Sequence, residues 1–489
     1  MLQRVREFFV LVLLALLPFH ALFVTFLTLK LAGPGHAPLA LLSLWKEMLL
    51  VFILFLTVIE CFGMSRRMTK KQRKEWLTFD VLDLVILATA VLAAAVSFFV
   101  GTSIVSFAYG VRYDLFAPLA FVILRRVPWS DGFIRGARFM LLAAASIVSL
   151  IAVGSLFVLA SVFSSLGYSD LHSLYVPNGP IAAFQLIGET GIRRVQGSMS
   201  GPNQLGMWLL LPLALALIEC FRWVRSGMPN ERFWRSLFLS LLFLIALLFT
   251  FSRSAWVAAA EIAAVTVLLT LSRRQIENVL SMSLAVCVLF IVALFSLSPA
   301  ILNRATSNEE HFRRPVAAWQ SMWAKPWGQG LGTAGPASNR TSDACVLLPD
   351  GSDPAWAHAH PDLCVFVGPL QVQPMNRGCS CPVLPENWYL QFGIEMGVTG
   401  FALALLTPAA ALLLLWRRRT QDHGLRSMFS AALGATVLGL ALAGFLLHVW
   451  EDTATAFTVW ILLAAVLPRA VHPSFMQKVL SWIGWKKKR

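Results

Sequence analysis

Apolar stretches of near-constant length recur along the chain, separated for the most part by short polar gaps. A helix needs about 20 apolar residues to cross the hydrocarbon core of a bilayer. The pattern predicts spans over residues 8–29, 40–63, 78–100, 103–124, 139–163, 202–221, 236–251, 254–272, 278–298, 389–416, 428–450 and 453–468. The expectation is an all-α polytopic membrane protein of about 12 transmembrane helices. Two gaps are long, 164–201 and 299–388, and long connections that persist usually carry function. The chain therefore divides into a first set of spans over 1–298, a large loop over 299–388, and three spans with a basic tail over 389–489. Within the large loop, Phe312, Val316, Trp319 and Trp323 recur at helical spacing and predict short helices near 311–324. Its middle, 333–384, has little periodicity of any kind, and no internal repeat is visible in the chain.

Charge orients this plan. Of the 40 Lys and Arg residues, 28 fall in alternate gaps: Arg4 and Arg6, Arg66 to Lys74, Arg125 to Arg138, Arg222 to Arg235, Arg273 and Arg274, Arg417 to Arg426, and Arg469 to Arg489. Cytoplasmic loops accumulate Lys and Arg, so that face is the inside, both termini lie there, and the large loop faces out. With 57% hydrophobic and 13% charged residues the chain is no ordinary soluble domain. The net charge of +15 is explained by the inward loops, and no basic stripe interleaved with aromatics points to nucleic acid. The first apolar run is too long for a secretory signal and lacks a small-residue cleavage site, so it reads as a retained anchor.

Four outer stretches hold polar residues that topology does not explain: Arg193 to Gly197 with Pro202-Asn203; Thr250 to Ser254; Arg313-Arg314 through Trp319 to Pro326–Gly332; and Glu386-Asn387 running on to Glu395 and Gly400. An arginine fork binds phosphate oxygens bidentately and stays charged at any workable pH. Several converging at the rim of a bundle would hold a diphosphate and stabilise it as it leaves. The alternative for Arg193 and Arg194 is snorkelling or pairing with loop carboxylates. Arg253 stands in a hairpin tip with membrane on both sides, where charge is costly unless it serves a site. Glu386 precedes a predicted helix that Asn387 would cap. As a carboxylate in a partly dry site it suits a general base toward a sugar hydroxyl, or else it complements the helix dipole. Glu395 reads as a buried, hydrogen-bonded carboxyl. Glu261, His448, Glu451 and Asp452 are intramembrane or span-end candidates without an assigned role.

Cys61, Cys220 and Cys287 sit in or beside apolar spans and read as packing residues. Cys345, Cys364, Cys379 and Cys381 share the outer loop, where disulfides are expected. Cys379 and Cys381 are too close in sequence to pair with each other, and the other pairings stay open. With His358 and His360 they fit zinc-ligand spacing poorly, so no metal is expected there.

Taken in order, these stretches resemble the O-antigen ligase and polymerase superfamily, membrane glycosyltransferases acting on lipid-linked glycans. Arg194-Val195-Gln196-Gly197 with Pro202-Asn203 is similar to the family's Arg-x-x-Gly and Pro-Asn. Thr250 to Arg253 resembles its Thr-x-Ser-Arg hairpin, and Arg314, Trp319, Pro326 and Gly328 to Gly332 its Arg, Trp and Pro-x-x-Gly-x-Gly stretch. Glu386 to Gly400 resembles its helix-opening pattern His-Asn-x-x-Leu-x-x-x-x-Glu-x-Gly-x-x-Gly. The chain departs from the ligases in carrying Glu386 where they carry the histidine thought to activate the acceptor. Glu386 would do that job, or His311, His358 or His360 would reach the site from the loop.

The resemblance implies a glycan donor on undecaprenyl pyrophosphate in the outer leaflet of a bacterial inner membrane. Arg194 and Arg253 would hold the diphosphate, with Arg193, Arg314, Asn203, Asn387 and His311 among the substrate-binding residues. Glu386 would deprotonate an acceptor hydroxyl on a growing glycan or on lipid A core, with inversion and without cofactor or metal. The rival expectations are a transporter or flippase for lipid-linked sugars, which would line a midplane path with charge, and a structural subunit of an envelope machine.

Overall fold

The computed structural model describes residues 1–169, 181–182, 185–187, 191–227, 230–277, 305–348, 351–353, 355–358, 361, 363–419 and 424–469. Among them are ten helices long and apolar enough to cross a membrane. The first, Leu2–Ala32, is built of α1 (Leu2–Leu16) and α2 (His20–Ala32), joined by a single 3₁₀ turn at Pro18. Next come α3 (Trp45–Arg67) and α4 (Val81–Val100), followed by α5 (Ile104–Leu124). A one-turn π-helix over Val111–Leu115 interrupts α5. Then follow α6 (Asp131–Gly154), α7 (Pro202–Ser226), α8 (Glu231–Phe249) and α9 (Arg253–Thr270). After the large loop and its own helix α10 (Ala305–Ala324) come α11 (Trp388–Arg419), α12 (Gly424–Ala443) and α13 (Thr453–Val466).

The expected span 278–298 lies outside the described residues. The expected span 453–468 is the 14-residue α13, about 21 Å at the helical rise. It is too short to cross alone, and every residue of it but Thr453 is buried in the bundle. Helix α7 is the most enclosed of the spans, and its Trp208, Leu205 and Leu209 belong with Phe457 to one continuous apolar core.

Part of the charge in the basic gaps is structural. Arg125 pairs with Asp80 and Asp83 and donates to the Leu467 carbonyl, and Arg126 pairs with Asp83 and donates to the carbonyls of Trp76 and Thr78. Arg6 pairs with Glu60 and donates to the Pro128 carbonyl. All three arginines are buried. They tie helix ends together, a role that a count of loop charges does not reveal.

In the large loop the all-α expectation needs correction. Strands β3 (Cys345–Leu348) and β4 (Cys364–Val367) pair parallel, and β5 (Leu370–Gln373) pairs antiparallel with β4. The run is short, and much of its apolar burial is within a satellite core of Val346, Ala357, Leu363 and Val365, so period-2 patterning is weak. Disulfides Cys345–Cys381 and Cys364–Cys379 staple this sheet, which consumes the four thiols that a zinc site would have needed. A closed loop of this size is worth about 2–4 kcal/mol to the local structure. Reduction is therefore expected to make the segment 343–383 protease-sensitive while the helical bundle stays intact, as limited proteolysis with and without dithiothreitol would read.

Two breaks position the site beneath this loop. Helix α11 is broken at Gly397, whose φ of 69° and ψ of −165° suit glycine alone. The Pro326–Gly332 run threads through the break: Val398 N donates to Pro326 O, Gln329 N to Ile394 O and Gly330 N to Glu395 O. A Cβ on Gly397 would meet the Pro326 carbonyl oxygen, and one on Gly330 would meet Thr102 Oγ1. The glycine-rich stretch is thus a backbone joint between the loop and three spans. Glu395 finishes it from below, its Oε1 accepting from Gly332 N at 2.8 Å and Ala334 N at 3.3 Å. Glu395 is buried as expected, but its partners are backbone amides of the large loop where a neighbouring span was expected.

Candidate functional site

The loop before α7 returns to the bundle as β2 (Arg193–Arg194), paired with β1 (Gln185–Leu186). Adjacent strand residues face opposite ways, and here that separates two arginines the sequence could only take together. Arg194 faces the tip between α8 and α9: its Nε donates to Thr250 O (2.9 Å), its Nη1 to Gln185 Oε1 (3.0 Å) and its Nη2 to Asn203 Oδ1 (2.9 Å). Arg193 donates instead to Val158 O at 2.7 Å and lines neither of the cavities described below. Arg193 thus stands apart from the residues that line those cavities.

The α8–α9 tip is short because Phe251 takes a left-handed φ of 49°. Thr250 Oγ1 donates to Leu247 O and accepts from Ser252 N, which locks the turn and sets Arg253 at the first position of α9. Among the described residues only Phe251 and Glu386 (φ 52°) are non-glycines with φ in this region. Such backbone costs about 1–3 kcal/mol per residue and concentrates at working sites. Here the two strained residues flank one region.

A cavity of about 340 Å³ lies there, lined by Arg194, Asn203, Arg253, His311 and Phe312 together with the tip. Helix α10 supplies His311 and, one turn on, Arg314. Arg314 Nη1 lies 2.9 Å from Glu386 Oε1, and His311 Nδ1 lies 3.7 Å from Glu386 Oε2. Burial pushes the His311 imidazole below its ordinary range; the Glu386 charge opposes this, and the charges of Arg253, Arg314 and Arg194 reinforce it. A neutral imidazole beside a carboxylate results, facing the arginine-lined cavity.

No protein-family model matches the chain, and no curated protein does. The arrangement is therefore read from its own chemistry.

A second cavity, of about 430 Å³, adjoins the first across Asn203 and Leu447, which line both. Glu386 lines this second chamber, so the Glu386–His311 pair stands at the boundary of the two. Asn387, expected at the substrate, is turned away. Its Oδ1 accepts from Leu390 N at 2.9 Å, capping α11, and its Nδ2 donates to Phe445 O. The capping role was legible in the sequence, and both polar atoms of the side chain are engaged in these contacts. His358 and His360, the other histidines considered, have side chains outside the described residues.

Several wall residues of the second chamber carry no motif. Lys46, Arg112, Glu451 and His448 line it. Their one sequence signal is charge or imidazole inside or at the edge of an apolar run, and the π-turn that presents Arg112 leaves no mark in the hydropathy.

Proposed function

We propose that the protein is a membrane glycosyltransferase that moves a glycan from a polyprenyl-pyrophosphate donor to a sugar hydroxyl at the face carrying the large loop. The charge distribution supports an outward orientation of that face, and the transferase reading makes it the periplasmic side of a bacterial inner membrane. One observation carries the reading: an arginine-lined cavity and a polar chamber meet at a carboxylate–imidazole pair. Arg194 and Arg253 suit a diphosphate, because guanidinium forks keep their charge and match phosphate oxygens. The acceptor oxygen attacks the anomeric carbon from the chamber side. The new C–O bond forms as the bond to the diphosphate breaks, and the electron pair departs onto the phosphate oxygen beside the arginines. The proton passes to the Glu386–His311 pair. Attack opposite the leaving group inverts the anomeric configuration. Glu386 is held in place by Arg314, and the neutral His311 beside it offers the pair a second proton acceptor.

Charge gathered at one rim argues for chemistry over a transporter, whose charges would follow a midplane path. Ligation onto lipid A core and polymerisation of repeat units both fit. The test uses purified protein in nanodiscs with a fluorescent undecaprenyl-pyrophosphate disaccharide and an oligosaccharide pool from the host envelope. Release of undecaprenyl pyrophosphate with growth of the saccharide is expected, and Glu386→Gln should slow it about a hundredfold, the lower range for a lost general base. Donor that changes leaflet without cleavage would establish a flippase instead.

A further inference from the structure

The gap between α3 and α4 treats its charge differently from the others. Arg66, Arg67, Lys70, Lys71, Arg73 and Lys74 stand within nine residues there, and all six are exposed. Elsewhere acids answer the arginines: Arg6 is paired with Glu60, Arg125 and Arg126 with Asp83, Arg469 with Asp80, Arg138 with Glu219 and Arg426 with Asp131. None of the six takes part in an ion pair among the described residues. The carboxylates that follow them in sequence, Asp80 and Asp83, are already engaged by Arg125, Arg126 and Arg469.

The backbone beneath these cations is fixed. Lys70–Trp76 is a short helix opened by a capping box, in which Thr69 Oγ1 accepts from Gln72 N at 3.3 Å and Gln72 Oε1 accepts from Thr69 N at 3.0 Å. At the other end Trp76 is buried. Its Nε1 donates to Arg126 O at 2.8 Å, and Arg126 Nη1 donates back to the carbonyls of Trp76 and Thr78. Lys70, Arg73 and Lys74 stand at i, i+3 and i+4, the spacing at which like charges on a helix repel. An anion among them would relieve that repulsion. The same three side chains line an open cleft of about 370 Å³ with Leu77 and Thr78. Arg73 is steadied there by donation from its Nη2 to Ser65 O at 2.7 Å, and Leu77 is 53% exposed. Because the helix joins the ends of two spans, it lies at headgroup level when α3 and α4 cross the bilayer.

We infer that this cleft is a lipid site, taking the phosphodiester of an anionic glycerophospholipid among Lys70, Arg73 and Lys74, with the glycerol and the start of its acyl chains on Leu77. Cations at a membrane surface attract anionic lipid in general. Here they are presented on a backbone that needs no ordering, beside an apolar floor, so one lipid is held in one place. The site is independent of the transferase reading.

Native mass spectrometry on the full-length protein tests it. Delipidated protein in mild detergent is offered equal amounts of phosphatidylglycerol and phosphatidylcholine. The parent is expected to retain phosphatidylglycerol in preference, and less of it as salt rises. Lys70→Gln with Lys74→Gln should cut that preference about twentyfold, from about fivefold for each cation at a membrane surface. Arg273→Gln with Arg274→Gln removes the same charge from another exposed basic gap and should leave the preference within about twofold. Melting curves matching the parent's report that each variant is folded. Equal retention of the two lipids by the parent, or equal loss in both variants, overturns the site in favour of loop charge at large. Displacement of the lipid by excess inorganic phosphate overturns it in favour of a small-anion site.

Discussion

Arg253→Ala is expected to cut donor cleavage by about a hundred- to a thousandfold, the usual loss when one preorganised charge is removed from a leaving group. The residue opens α9 at the rim of the cavity that it shares with Arg194 and His311. It would meet a departing diphosphate there with no reorganisation. Arg253→Lys should recover only part of the rate, since an ammonium supplies charge without the planar fork. Single-turnover cleavage of lipid-linked donor, with membrane insertion checked by protease protection, separates chemistry from folding. Arg194→Ala is the less clean experiment, because Arg194 also braces Thr250 and Asn203. Wild-type cleavage by the Arg253→Ala protein would remove the diphosphate site from this cavity.

Gly397→Ala is expected to be worse for the protein than any change in the cavity. The residue holds φ 69° and ψ −165°, a region that costs other residues about 1–3 kcal/mol. Its new methyl would also strike the Pro326 carbonyl, the acceptor for Val398 N. Together these should lower stability by about 3 kcal/mol or more, a large share of what holds a typical protein folded. Gly434→Ala, a helical glycine in α12 with open space around it, is the matched control and should be neutral or slightly stabilising. Detergent-solubilised melting curves would decide. An unperturbed Gly397→Ala protein would mean that the Pro326–Gly332 run is held by something other than this joint.

The comparison with the sequence is instructive at particular residues. Among the described residues, helices were legible where an apolar run of membrane length exists, because hydropathy alone dictates them; α13 is shorter than the span expected there, and burial in protein and burial in lipid select the same residues. At the site, Arg194, Arg253, Asn203, His311, Arg314 and Glu386 come together from β2, α9, α7, α10 and the start of α11. Their residue types announced chemistry, but only tertiary structure could sort Arg194 from Arg193, or Glu386 from Asn387. Strand alternation did the first, and the Asn387 cap did the second. The glycine run stood in the sequence only as the end of an outer stretch, and its part as a tight backbone joint became visible with the break at Gly397. The second chamber was invisible as a unit, its wall being assembled from α2, α3, α5, α7 and the turn before α13.

Helix α10 has two faces, and they belong to different media. His311 and Arg314 look toward Glu386, while Phe312, Trp319 and Trp323 are open to the surroundings, with Trp319 resting on Phe401 of α11. Indoles favour the headgroup level of a bilayer, so lipid meeting this face would set the depth of the same rod that carries the imidazole. On the transferase reading, acyl-chain length would then bear on the proposed site, and a thin or detergent-replaced leaflet would detune the protein without touching a single polar contact.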